Sequence, residues 1–237
     1  MRRLVCLLLM LCPAFLPCSA VATPLHAQTF TVVTQTITEA VVEEEEVAAE
    51  TGSDRFVGAA PVPVPPGIAA YGPFRVLDAN RAALVDVTDE RSPAAFAAML
   101  AAYPGLTTLE LVECPGTDDD RANLRLGRMI RANGLATHVP DGGSVRSGAV
   151  ELFLAGVRHS AERGAEFAVH SWADEQGREP RDYPANAPEN RVYLDYYRDM
   201  GLSPIEARAF YAMTNSVPNA SARWLNAAQM AQWVRFN

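Results

Sequence analysis

The chain has 237 residues and a formal charge of −8, with 20 lysines and arginines against 28 aspartates and glutamates. That balance argues against nucleic acid or anionic lipid as a partner. Its few histidines show no ligand spacing and there is no cysteine cluster, so neither a metal nor a cofactor is expected.

Arg2 and Arg3 precede an apolar run over residues 4–16, and Ala20-Val21-Ala22 follows as a small-x-small site. Residues 1–22 therefore read as a signal peptide, and the mature protein as periplasmic or secreted. The run is broken by Pro13 and Pro17 and is shorter than the roughly 20 residues of a spanning helix. An uncleaved anchor and a lipid on Cys18 stay open as alternatives, although Phe15-Leu16-Pro17 lacks the usual small residue before a lipidated cysteine. Cleavage would remove Cys6, Cys12 and Cys18, leaving Cys114 without a disulfide partner in its own chain. Cys114 follows the strand-like run 109–113 and is expected to be buried.

Residues 23–66 are poor in core formers. Glu43 to Glu46 form an acidic run, and Pro61, Pro63, Pro65 and Pro66 stiffen the end of the stretch. They read as a disordered acidic, proline-rich linker. Residues 67–237 are then long enough for one domain with its own core, without an internal repeat of fixed period.

Strands and helices alternate in this domain. Residues 74–77 and 83–87 read as strands, and Ser92-Pro93 opens a helix whose Phe96, Met99 and Leu100 share a face. Residues 106–112 read as a strand. Asp118, Asp119 and Asp120 lead a helix carrying Ala122, Leu126, Met129 and Ile130, with Gly134 just beyond its end. Residues 135–139 give the next strand. His138 and His159 read as surface or loop residues. In the last third, Val192, Tyr193, Tyr196, Tyr197 and Met200 form a core stripe ended by Gly201. Ser203-Pro-Ile-Glu206 and Asn226-Ala-Ala-Gln229 are capping boxes. The class is α/β with a helical C-terminal part.

One stretch carries chemistry. Gly143-Ser-Val-Arg-Ser147-Gly148 delivers a serine to the start of an apolar helix that closes on Ala155-Gly156, and the short strand 167–169 then ends in His170. A hydroxyl at a helix start, near backbone N–H groups and with an imidazole in reach, is the layout of a serine nucleophile and its base. Each residue also has a plainer reading. A serine at a helix start is a common N-cap, with Ser144 as a rival for that role, and a lone histidine is often a hydrogen-bonded core residue. Arg146, beside the serine, reads as solvated.

The order strand, Pro-Gly loop, helix, strand, Gly-x-x-x-Ser, helix ending Ala-Gly, strand ending His resembles the proteolytic subunit of the Clp protease. It resembles still more the exported proteins that share that Clp/crotonase fold, from about Gly67 to the C-terminus. The resemblance implies a stack of ββα units, a serine nucleophile, a histidine base and a backbone oxyanion hole. Ser147 matches the nucleophile, His170 the base, and Gly148 one oxyanion donor. The loop Cys114-Pro115-Gly116-Thr117 matches the other donor, with Thr117 where the family has a glycine. The family's aspartate falls on Ala222, ahead of Trp224 and the last helix. The implied activity is serine peptidase-like hydrolysis of a peptide or ester bond by a Ser-His dyad, and a homo-oligomer is an expectation too. The alternatives are a catalytically inactive scaffold that binds a protein or envelope component, and acyl-thioester binding, which has only the fold in its favour.

Overall fold

The computed structural model describes residues 55–56 and 63–237. The chain divides into two units, Met1–Ala48 and Ala49–Asn237. The first unit lies outside the described residues, as do the expected signal peptide and most of the expected linker.

The second unit opens with β1 (Arg55–Phe56), in a stretch that reads as linker in the sequence. β2 (Ala69–Tyr71), β3 (Phe74–Val76) and β4 (Arg81–Leu84) then form an antiparallel meander that leads into α1 (Ser92–Ala102). Three units of related plan follow. The first is β5 (Thr108–Leu111), β6 (Glu113–Cys114), the short β7 (Gly116–Thr117) and α2 (Asp120–Ala132). The second is β8 (Ala136–Val139), β9 (Ser144–Arg146) and α3 (Ala149–Leu154). The third is β10 (His159–Ala161) and β11 (Glu166–Val169), with a 3-10 turn over Pro180–Asp182 before α4 (Pro188–Asp199). The chain ends through α5 (Pro204–Thr214), β12 (Arg223–Asn226) and α6 (Ala227–Met230).

Each unit sends its first strand to a six-stranded sheet, ordered β10-β8-β5-β4-β3-β2, and its second to a four-stranded sheet, ordered β12-β11-β9-β6. The fold is thus mixed α/β, built of ββα units with a helical C-terminal part. β6, β9 and β11 run parallel, with β9 in the middle. Parallel strands need a crossover between them, and the helices supply it.

The core lies between these layers. Phe74, Phe96, Leu109, Leu111, Leu126 and Phe153 are among its fully buried side chains. The tyrosine stripe of α4 joins it. Tyr196 crosses α2 at Gly127, where a β-carbon would stand 2.0 Å from the hydroxyl, and donates to the Glu151 carbonyl at 2.6 Å. Burial holds its phenol well above the ordinary range. Both capping boxes form with both of their hydrogen bonds. Asp119 caps α2 by accepting from the Ala122 N–H, and Gly134 follows the helix at φ 72°.

Several expectations change. The strand expected over 83–87 starts at Arg81, where Asp78 and Glu110 pair with the arginine, and stops at Leu84. Val192 is on the outer side of α4, 44 % exposed. His138 and His159 lie in β8 and β10, not in loops, and are half-buried. Arg146 is 2 % exposed, not solvated, because Glu113 on the neighbouring strand pairs with it. Among the described residues no helix is long and apolar enough to cross a membrane.

Candidate active site

The site grows out of the C-terminal ends of β6, β9 and β11. Register places Glu113 beside Ser144 on one side of β9 and Ala168 beside Arg146 on the other. Adjacent strands lie about 4.8 Å apart. The loops that leave these strands at one edge therefore bring together Gly116–Thr117, Ser147–Gly148 and His170, which the sequence scatters over more than fifty residues.

The pairing is fixed by charge. The Arg146 guanidinium bonds Glu113 of β6 and, at 2.6 Å, the Ser144 hydroxyl, which donates to Glu166 of β11 at 2.8 Å. Ser144 is thus a strand residue and caps no helix. Cys114 is buried in β6, and burial pushes its thiol well above the usual range.

Ser147 is the first residue past β9. Its N–H still donates to the Ala168 carbonyl at 2.8 Å, and its carbonyl accepts from the Val150 N–H at 3.0 Å. Between those two bonds the chain must turn sharply, and Ser147 takes φ 50°, the one non-glycine with positive φ among the described residues. A left-handed conformation costs an L-residue about 1–2 kcal/mol. The N-cap of α3 is Gly148, and no side chain caps that helix. Ser147 Oγ is buried and makes no hydrogen bond among the described residues. A second cost, about 1–3 kcal/mol for a buried unsatisfied hydroxyl, thus falls on the same residue.

His170 follows β11 and is 2 % exposed. Its Nδ1 lies 2.9 Å from the Ser171 carbonyl oxygen. A carbonyl only accepts, so Nδ1 carries a proton in this bond, and in the neutral ring the lone pair then lies on Nε2, the tautomer a base requires. Asn219 Nδ2 donates to the same carbonyl at 2.8 Å and stands 3.2 Å from Nδ1. The Asn219 N–H in turn donates to Glu179 at 2.9 Å. No local motif marks Asn219 in the sequence, since a long excursion separates it from His170.

β12 pairs antiparallel with β11, and the last pair is Val169 with Arg223, so Ala222 is the residue just before β12 and His170 the residue just after β11. The position carries no carboxylate. Trp224 lies in β12, and the last helix starts only at Ala227.

On the other side of Ser147, the positive φ of the Pro115-Gly116 loop falls on Gly116, at 140°, where only glycine is at ease. Thr117 is therefore not the strained residue its β-branch suggests. Its hydroxyl donates to the Thr88 carbonyl at 3.1 Å, and its methyl faces Gly148. Asn123 on α2 holds the Gly148 carbonyl at 2.6 Å. The N–H of Gly148 belongs to a helix start, where no intrahelical acceptor exists.

A cleft of about 610 Å³ opens next in chain to these groups, lined by Asp118, Asp120, Trp172, Asp174, Glu175 and Glu189 among others. The Tyr183 hydroxyl, hydrogen-bonded to Asp174, holds that carboxyl at about 2. Among the described residues no cluster of His, Cys, Asp and Glu could hold a metal ion.

No protein-family model and no curated protein matches the chain. Among solved structures, it is similar to a variant of ClpP1 from Listeria monocytogenes, at 13 % identity and TM-score 0.43, over 67 % of this chain and 92 % of that one. It is also similar to a variant of the 1510-N membrane-bound stomatin-specific protease in complex with a substrate peptide, at 10 % identity and TM-score 0.42, over 67 % and 74 %. A second variant of that protease gives 10 % identity and TM-score 0.43, over 67 % and 78 %.

Proposed function

We propose that the chain is a serine hydrolase acting on peptide or ester bonds, with Ser147 as nucleophile and His170 as base. One observation carries this reading. Ser147 combines a left-handed backbone with a buried hydroxyl that makes no hydrogen bond, at a strand end beside the strand that ends in His170. A core serine would relieve both costs, and strain concentrated on one polar residue is a mark of functional sites.

In this mechanism Ser147 Oγ attacks the acyl carbonyl while its proton passes to His170 Nε2. The N–H of Gly148 and the Gly116–Thr117 loop hold the oxyanion. His170 then returns the proton to the leaving amine or alcohol, and water releases the acyl group from Ser147 by the same two steps. Ser171 O and Asn219 keep the imidazole in its tautomer, the task a triad carboxylate performs elsewhere. The acidic cleft disfavours negatively charged side chains in the substrate. The N-terminal Arg2-Arg3, apolar run and Ala20-Val-Ala22 support an exported enzyme, periplasmic or secreted.

A second reading, an inactive scaffold that binds a protein or envelope component, has its own support. Ser147 and His170 are each 2 % exposed. A fluorophosphonate decides between the two. The hydrolase is labelled, and peptide mapping puts the adduct on Ser147. Absence of an adduct on Ser147, both in the intact chain and in a variant with Arg55→Pro and Phe56→Pro, leaves the binding reading in front.

A further inference from the structure

β1 is two residues long, and its place is what matters. It pairs antiparallel with β7, Arg55 opposite Thr117 and Phe56 opposite Gly116. The other edge of β7 is taken by Thr88, which donates to the Gly116 carbonyl at 3.1 Å and accepts from the Asp118 N–H at 2.8 Å. Successive residues of an extended strand turn their N–H and C=O to opposite edges. The Thr117 N–H and carbonyl therefore face β1.

Thr117 is also the residue whose methyl rests on Gly148, one residue past Ser147. An extended chain added along this edge of Gly116–Thr117 would run beside the loop that meets Gly148, the residue after Ser147. In this structure residues 55–56 of the same chain lie there.

We propose that Arg55–Phe56 is a strap held in cis on the peptide-docking edge of β7, and that the site opens to an extended peptide by exchanging this strand for one in trans. Its gating role rests on the hydrolase reading, whereas the occupied edge does not. A tethered segment competes at an effective concentration on the order of millimolar, so free peptide at micromolar concentration does not displace it. Strand addition to an exposed edge is driven by main-chain hydrogen bonds and accepts many sequences. The strap thus protects a tolerant site from casual substrates.

The test uses the full chain with Arg55→Pro and Phe56→Pro together, which removes the Arg55 N–H that faces Thr117 and disfavours re-pairing one residue along. A fluorescent peptide with the sequence of residues 51–60 is titrated against this variant and the parent, each also carrying Ser147→Ala so that turnover plays no part. Anisotropy should show the proline variant binding at least tenfold tighter than the parent. The pair replaced by glycine, which keeps the N–H groups, should fall between. Equal binding by parent and proline variant, with unchanged melting temperatures, overturns the proposal. With Ser147 in place, fluorophosphonate labelling should speed up about tenfold in the proline variant. Peptide binding as expected but no labelling of either protein overturns the hydrolase reading and leaves the strap standing. Labelling at the same rate in both removes the gating role.

Discussion

The γ-methyl of Thr117 occupies the space into which a β-carbon on residue 148 would project, 2.5 Å from it. The two residues come from different ββα units, so this contact sets the distance between the Gly116–Thr117 loop and the start of α3. Gly148→Ala should cost about 1–3 kcal/mol, the range for overpacking a filled site. Thr117→Ser, which removes the methyl and keeps the hydroxyl bond to Thr88, should recover most of that loss in the double variant. Urea unfolding of the four-member cycle measures it. A double variant no more stable than Gly148→Ala would mean that the contact is not what excludes a side chain.

Removing the Ser147 hydroxyl should make the protein more stable and chemically silent at once. Ser147→Ala keeps the left-handed backbone but deletes a buried hydroxyl without a hydrogen bond, a gain of about 1 kcal/mol. That corresponds to a rise of about 2–4 °C in melting temperature for a domain of this size. Fluorophosphonate labelling should vanish. A loss of more than about 1 kcal/mol would show that the hydroxyl holds the fold, a cost out of line with an unsatisfied group.

The register of β11 and β12 offers a gain of function. Ala222 precedes the β12 residue that faces Val169, the residue before His170, so Ala222→Asp should bring a carboxylate near the imidazole. Labelling should accelerate at least tenfold, as a triad carboxylate stabilises the imidazolium. Asn219→Asp should not substitute for it, because Asn219 Nδ2 is a donor to the Ser171 carbonyl and a carboxylate there would face an acceptor at 2.8 Å. Asn219→Ala should slow labelling about tenfold and alter its pH profile, since the imidazole then loses a support rather than the nucleophile. An unchanged rate for Asn219→Ala and Ala222→Asp alike would separate His170 from the reaction.

Acid should reveal Asp174. Its folded pKa is depressed from 3.8 to about 2, first by the Tyr183 hydroxyl and then by bonds from Arg178 and Gln176 against a desolvation cost. A depressed carboxyl stabilises the fold above its unfolded pKa and loses that contribution as pH falls toward the folded one. The Asp174→Asn variant should therefore show a shallower fall of melting temperature than the parent between pH 4 and pH 2, and calorimetry across that window is the measurement. Parallel curves would mean that the bond to Tyr183 does not persist in solution.

What the sequence made legible was local. Capping boxes at Ser203 and Asn226, the acidic cap of α2 and the Gly134 stop need only neighbours within one turn, and each is where the pattern puts it. β9 was hidden because Arg146 breaks its apolar pattern, and its partner Glu113 lies 33 residues away. β10 and β12 were hidden because short strands paired along one side carry no alternation strong enough to see. The fit of Ser147 and His170 to two adjacent strand ends followed from motif spacing, while Asn219, 49 residues from His170, had no such signal. At the Pro115-Gly116-Thr117 turn the sequence gives the residue types but not which one takes the positive φ, and it is Gly116.

The Arg146–Glu113 pair has a bearing on fidelity. Strands slip by one residue when nothing distinguishes neighbouring registers, and each slip turns every side chain to the opposite face. In β9 such a slip would strand an ionised guanidinium in the interior without its carboxylate, an error that costs about 3–5 kcal/mol. Mispaired chains in which Ser147 sits one place too early or too late are therefore scarce at equilibrium. A charge on the residue before Ser147 acts as a proofreader for the position of a hydroxyl it need never touch.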